Sequence, residues 1–264
     1  MSKISYLGDK YTHTYAAACK LLQSGDELVG YPTIFGSIEA AADGRSDLAV
    51  APVENTCGGS VADTLDALWA LPLYIVKETV IAVPQHLIGL AGAKKSDIKT
   101  VYSHPQAISQ TNDYLLANFA AADVIAVSST ARALSLITDS SVAAIARAPS
   151  DGQEIIDADI ADVKNNSTRF VMLGGEPSTD GNKCSVVFET RNKPGALVDA
   201  LGVFHDFGFN MTKIESRPHK SKLGRYVFFV DFDFAPAGAS LSEVLGVLSQ
   251  RTLSMKFLGR YPTV

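Results

Sequence analysis

Up to Gly174 the chain alternates short apolar runs with segments of helical period, and this alternation constrains the fold more than any other feature. Strands are expected near 4–7, 28–31, 48–51, 74–83, 100–102, 124–127, 142–146 and 169–173. Helical segments lie between them, including 14–22, 61–68, 107–119 and 131–137. Strands separated by helices pair in parallel within an α/β architecture. The segment 76–84 is long, and the polar turn Lys94-Lys95-Ser96-Asp97 follows it. The chain is therefore expected to cross between two α/β lobes there and to return near Arg169. Two lobes leave a cleft, a usual place for a small ligand.

From Gly174 to Asn182 turn formers replace bulky apolar residues, which reads as a linker. The pattern then changes to a strand at 185–189, a helix at 195–207 and strands at 211–215 and 226–232. The capping-box sequence Ser240-Leu241-Ser242-Glu243 opens a second helix, and a strand at 255–258 closes the chain. This βαββαβ order is ferredoxin-like. It serves many functions and names none. The expected organisation is a two-lobe domain over 1–178 and a second domain over 184–264; 264 residues with 47% apolar content accommodate both.

Several classes are excluded. A net charge of −5 gives no basic surface for nucleic acid, and no apolar stretch is long enough to span a bilayer. No basic-then-apolar leader opens the chain, and the odd, dispersed Cys19, Cys57 and Cys184 read as reduced thiols, so a cytoplasmic location is expected. There is no GxGxxG after a strand and no P-loop lysine, so no nucleotide cofactor is expected. His13, His86, His104, His205 and His219 lack ligand spacing, so no metal is expected.

Three strand ends open into helices through small hydrogen-bonding residues: Asn55-Thr56 with Gly58-Gly59-Ser60, Ser103-His104-Pro105-Gln106, and Ser128-Ser129-Thr130. Helix N-termini present free N–H groups, so together these loops suit a small anion, although each alone is an ordinary N-cap. The segment Asn165-Asn166-Ser167-Thr168-Arg169-Phe170 places a hydroxyl, a guanidinium and an aromatic in succession at the start of an apolar strand. Alternation sends Thr168 and Phe170 to one face and Arg169 to the other.

Asn166 with Thr168-Arg169-Phe170 resembles the signature of the prephenate dehydratase family. So do Pro52-Val53-Glu54-Asn55-Thr56 with Gly59-Ser60-Val61, Thr64-Leu65-Asp66-Ala67-Leu68, and Ser103-His104-Pro105-Gln106-Ala107 with Gln110. Gly195-Ala196-Leu197-Val198 and Ile214-Glu215-Ser216-Arg217-Pro218 are similar to the phenylalanine-binding segments of its ACT regulatory domain. The resemblance runs in order from Tyr6 to about Asp231. It implies a catalytic domain like a type II periplasmic binding protein, needing no cofactor, with prephenate held between two lobes and converted to phenylpyruvate for phenylalanine biosynthesis. Thr168 is then catalytic, hydrogen-bonded to the leaving hydroxyl. Asn55, Thr56, Ser103, Gln106, Gln110, Ser129, Thr130, Arg169 and Phe170 are the implied substrate-binding residues; Arg169 either pairs with a substrate carboxylate or holds the cleft. The ACT domain implies feedback by L-phenylalanine at Gly195, Ala196, Leu197, Asn210, Met211, Glu215 and Ser216. Such sites form between subunits, so a homodimer or homotetramer is expected.

One loop departs from the family. Tyr11, His13 and Tyr15 stand where glycine, phenylalanine and glutamate are usual, which bears on substrate preference more than on reaction type. Two alternatives follow: a dehydratase acting on arogenate, and a non-catalytic amino-acid-binding regulator of the same fold.

Overall fold

The structure, a computed structural model, describes residues 1–10, 12–220, 224–234 and 240–264. It divides into two compact units. Met1–Lys10, Thr14–Val80 and Arg169–Val264 form the first, and Ile81–Thr168, joined by Thr12 and His13, form the second.

The chain begins with β1 (Lys3–Leu7), α1 (His13–Leu21), β2 (Glu27–Tyr31), α2 (Ile34–Ala42), β3 (Leu48–Asn55), the short β4 (Gly59–Ser60), α3 (Ala62–Ala70) and β5 (Tyr74–Ala82). β1 runs parallel to both β2 and β3, as strands joined through helices do. α2 is absent from the sequence expectation. The Thr33 hydroxyl caps it by accepting from the Gly36 amide, and Ile38 and Ala40 anchor it with no exposed surface. It is as long as α1 and α3, and its interior Gly36 lowers its helix propensity.

The second unit contains β6 (His86–Leu90), β7 (Thr100–Ser103), α4 (Pro105–Ser109), α5 (Asn112–Asn118), β8 (Asp123–Ala126), α6 (Thr130–Ser135), β9 (Val142–Ala146) and β10 (Gln153–Asp157). Its sheet order is β10-β6-β9-β7-β8, with β7 parallel to β8 and β9 and antiparallel pairing of β6 with β9 and β10. The single helix expected over 107–119 is two helices. Thr111 Oγ1 donates back to the Ala107 carbonyl at 2.9 Å, and Thr111 itself leaves helical backbone angles before α5 starts.

β11 (Ser167–Gly174) returns the chain to the first unit at Arg169, just as β5 carries it out at Val80. The first sheet is ordered β2-β1-β3-β11-β5, with β4 hairpin-paired to β3. There follow β12 (Lys183–Glu189), α7 (Ala196–Asp206), β13 (Met211–Pro218), β14 (Tyr226–Asp233), α8 (Leu241–Arg251) and β15 (Ser254–Tyr261), in the sheet order β13-β14-β12-β15. This is the ferredoxin-like arrangement, and the Ser240–Glu243 capping box is formed.

The C-terminal sheet buries both faces. Cys184, Val186, Phe188, Val230 and Phe232 pack with Phe204, Val244 and Leu248 of α7 and α8. Val187, Val227, Phe229, Leu258 and Tyr261, alternating with them, join one core with Ile38, Leu65, Leu68, Ile75, Val171 and Leu173. At Gly259 (φ +135°) an added Cβ would lie 2.3 Å from the Ile75 carbonyl oxygen, so only glycine permits this approach of β15 to β5. No helix among the described residues is long and apolar enough to cross a membrane.

Candidate active site

Alternation along the start of β11 puts Asn166, Thr168 and Phe170 on one face, and all three are buried, at 5%, 8% and 1% exposure. The Asn166 amide donates to Gln110 Oε1 at 3.2 Å, and the buried Gln85 amide donates to the same oxygen at 3.3 Å. Gln110 ends α4, where its backbone N–H closes on the Gln106 carbonyl. Both bonds use Oε1, so the two N–H groups of Gln110 Nε2 are not spent on Gln85 or Asn166. Gln85 was not foreseen: it sits beside a proline in an apolar run, with no motif around it. The buried polar residues between 81 and 168 are Gln85, Ser103, Thr111, Asn166 and Thr168, all neutral.

Other residues from the sequence reading separate. Ser103 ends β7 fully buried, and its hydroxyl donates to the Ile145 carbonyl at 2.7 Å. Gln106 is exposed, its backbone N–H held by the His104 imidazole. Gln106 and Gln110 are thus one turn apart on α4 but differ in burial, Gln106 exposed and Gln110 half-buried. Ser129 is the exposed N-cap of α6, accepting from the Arg132 amide, and Thr130 begins that helix. His13 brings Nδ1 into a buried position with no hydrogen-bond partner. Burial first, and then the charge of Arg147, push its imidazole down to about 4, so it is neutral near pH 7. Tyr11 lies outside the described residues; Tyr15 packs on Tyr6, ring centroids 5.6 Å apart.

In the first unit Asn55 builds an Asx turn, its Oδ1 accepting from the Cys57 and Gly58 amides at 3.0 and 2.7 Å, with Thr56 exposed within that turn. Lys213 of β13 reaches the same loop, at 2.9 Å from the Ser60 hydroxyl and 3.0 Å from the Glu54 carboxylate. Arg217 of β13 pairs with Asp66 on α3 at 3.2 Å.

Arg169 departs from the substrate-binding group. Its Nε donates to Glu78 of β5 at 2.6 Å, Nη1 to Asp231 of β14 at 2.5 Å, and Nη2 to the Tyr261 hydroxyl at 2.9 Å. Burial pulls its pKa down, but Asp231, Tyr261 and Glu78 more than offset this and hold the guanidinium charged. Tyr261 is pushed up by burial and then by Asp231, so it stays a neutral phenol.

The candidate effector residues form two groups. Gly195 (φ +81°) caps α7 in the left-handed region, and with Ala196 and Leu197 it lines a pocket completed by Arg225, Tyr226 and Phe228. Nothing lies within 4 Å of a Cβ built at Gly195, so backbone conformation and not tight packing calls for glycine. Ser216 is exposed and pairs with Phe228 at this end of the sheet, with Glu215 half-buried beside it. Asn210 and Met211 lie at the other end: Met211 pairs with Phe232, and Asn210 donates to Asp233 at 3.0 Å.

Comparisons with known proteins agree on one family. The family profile described as prephenate dehydratase matches residues 4–178, and the profile described as ACT domain matches 185–244. The chain is 34% identical to a prephenate dehydratase of Amycolatopsis methanolica over 99% of its own length and 88% of the relative's. The solved prephenate dehydratase of Arthrobacter aurescens in complex with L-Phe aligns with a TM-score of 0.87 at 28% identity, covering 98% of this chain and 90% of that one. A protein described as GqqA, a novel type of quorum quenching acylase, aligns with a TM-score of 0.84 at 28% identity, over 99% and 98% of the two chains. With a family profile over most of its length and a relative this similar end to end, the chain belongs to the prephenate dehydratase family and carries an ACT domain after the catalytic segment.

Proposed function

We propose that this protein converts prephenate to phenylpyruvate, with Thr168 as the residue that assists departure of the ring hydroxyl. The observation that carries this is the neutral polar cluster of Gln85, Gln110 and Asn166 on the Thr168 face of β11. The C–C bond to the ring carboxylate breaks and releases carbon dioxide, its electron pair enters the ring, and the C–O bond breaks as hydroxide accepts a proton to leave as water. Aromatisation drives the change, so the protein has only to orient a dianion and deliver one proton. Neutral donors suit this, because a buried carboxylate would repel the substrate. Threonine is a weak acid and works by placement, with its hydroxyl held at the leaving oxygen. Gln110 is the donor assigned to the substrate's oxygens beside Thr168; Ser103 shapes the end of β7.

The assay is formation of phenylpyruvate from prephenate by the purified protein, with arogenate as a parallel substrate. Thr168→Ala is expected to lower kcat by about 10²-fold or more with the fold kept. Near-normal turnover of that variant removes Thr168 from its role. Absence of phenylpyruvate from the parent protein, with amino-acid binding intact, favours a regulator without catalysis, and faster turnover of arogenate reassigns the substrate.

The same reading makes L-phenylalanine the effector at the ACT domain and the protein a homo-oligomer. The Gly195–Leu197 and Asn210–Met211 groups sit at opposite ends of β12–β14 in one protomer, and β13 is an edge strand. Two-fold antiparallel pairing across that edge brings one protomer's Gly195 end to its partner's Met211 end. A cytoplasmic location accords with three free cysteines, Cys19, Cys57 and Cys184.

A further inference from the structure

Thr168 and Arg169 are consecutive on β11, so the pleat turns their side chains to opposite faces. Val171 and Leu173, which share the Arg169 face, pack into the core with Val187, Phe229 and Tyr261 of the ACT sheet. On this face Arg169 is 8% exposed, and each of its three guanidinium nitrogens has a protein partner: Glu78, Asp231 and Tyr261. The partners are themselves tied. The Ser185 hydroxyl donates to the second oxygen of Asp231 and lies 2.5 Å from the Tyr261 hydroxyl. Lys183 and the Thr263 hydroxyl donate to the second oxygen of Glu78 at 3.1 and 2.6 Å. Arg169 and Lys183 balance Glu78 and Asp231, so the cluster is closed in charge as well as in hydrogen bonds. A substrate carboxylate would have to displace Asp231 or Glu78 from a fork they already fill.

We propose that Arg169 is a positioning residue: it fastens the start of β11, and with it Thr168, to one carboxylate of β5 and one of the ACT sheet, so that the state of the ACT domain is read at Thr168. This rests on the assignment of Thr168 as the catalytic residue. Asp231 pairs in register with Lys213 of β13, the strand that carries Met211, Glu215 and Ser216. A shift of β14 against β5 therefore pulls on the Arg169 fork directly. A planar, doubly anchored guanidinium transmits such a shift to its own backbone, and displacement of a catalytic group by about 1 Å costs on the order of 10²-fold in rate.

The test uses the full-length protein with prephenate and phenylalanine, measuring kcat and KM separately, phenylalanine affinity by calorimetry, and the maximal inhibition phenylalanine produces. Arg169→Lys keeps the charge and loses the fork; it is expected to lower kcat about tenfold or more with KM within about twofold. Tyr261→Phe and Ser185→Ala each remove one hydroxyl and are expected to lower kcat several-fold at constant KM. They should also shrink maximal inhibition, with phenylalanine affinity unchanged. A raised KM at full kcat in Arg169→Lys makes Arg169 a substrate ligand and overturns the proposal. Parental kcat and parental inhibition in both hydroxyl variants overturn it too, whether or not Arg169→Lys folds. If Thr168→Ala retains activity, the underlying assignment fails instead, which the same assay reads separately.

Discussion

His13 illustrates how one substitution in a family pattern changes the physics of its surroundings. Its imidazole is pushed down to about 4 by burial and by Arg147, whereas an unfolded chain takes up that proton near pH 6.5. Between those values the unfolded state holds the extra proton, so stability falls as pH falls from 6.5 toward 4. The loss is on the order of 3 kcal/mol once complete. His13→Phe, which installs the residue usual in the family, should flatten that slope; urea unfolding at pH 7 and pH 4.5 measures it. An unchanged difference between the two pH values would show that the acid sensitivity arises elsewhere. The role of His13 in the fold was not legible from spacing, because what depresses it is burial beside a residue 134 positions away, from 13 to 147.

Among the elements, β5 and β11 carry the chain between its two units and also bear Glu78, Thr168 and Arg169. β15 seals β5 from the other side. Glu78 bridges to Thr263, the Val264 amide donates to the Glu78 carbonyl at 2.9 Å, and Gly259 lets the two backbones approach. Gly259→Ala meets both a positive φ and a carbonyl oxygen at 2.3 Å, and is expected to destabilise by about 3 kcal/mol. A lower urea midpoint at unchanged slope would show this, and a change within about 0.5 kcal/mol would mean that the strand relaxes freely. α3 is tied similarly: Lys256 of β15 donates to the Leu68 and Leu71 carbonyls at its C-terminal end, and burial lowers this amine to about 8. Most elements were legible in advance, because apolar periodicity and a formed capping box are local. The exceptions are α2, which holds a glycine, the helix over 107–119, which is interrupted at Thr111, and the strands β4, β6 and β10, which were not among those expected.

For the molecule as a whole, the two groups of candidate effector residues make a prediction about assembly. If each effector site joins the Gly195 end of one protomer to the Met211 end of its partner, a dimer carrying one Gly195 variant and one Met211 variant keeps one intact site of two. Co-expression of two binding-defective variants should then restore phenylalanine binding to about a quarter of the sites, read by calorimetry; no recovery would place both groups in one subunit's site. Most of the element order was carried by periodicity, which records local geometry directly, whereas the family and its ACT domain were carried by the resemblance of an ordered set of motifs; Gln85, beside Gln110, was carried by neither. Alternation also showed that Thr168 and Arg169 face opposite ways. What Arg169 faces was decided only by the tertiary structure. Its partners Glu78, Asp231 and Tyr261 stand 91, 62 and 92 residues away, and no local pattern marks a buried charge whose counter-ions arrive from other strands. The motif left open whether Arg169 pairs with a substrate carboxylate or holds the cleft; in the folded chain its guanidinium is filled by Glu78, Asp231 and Tyr261.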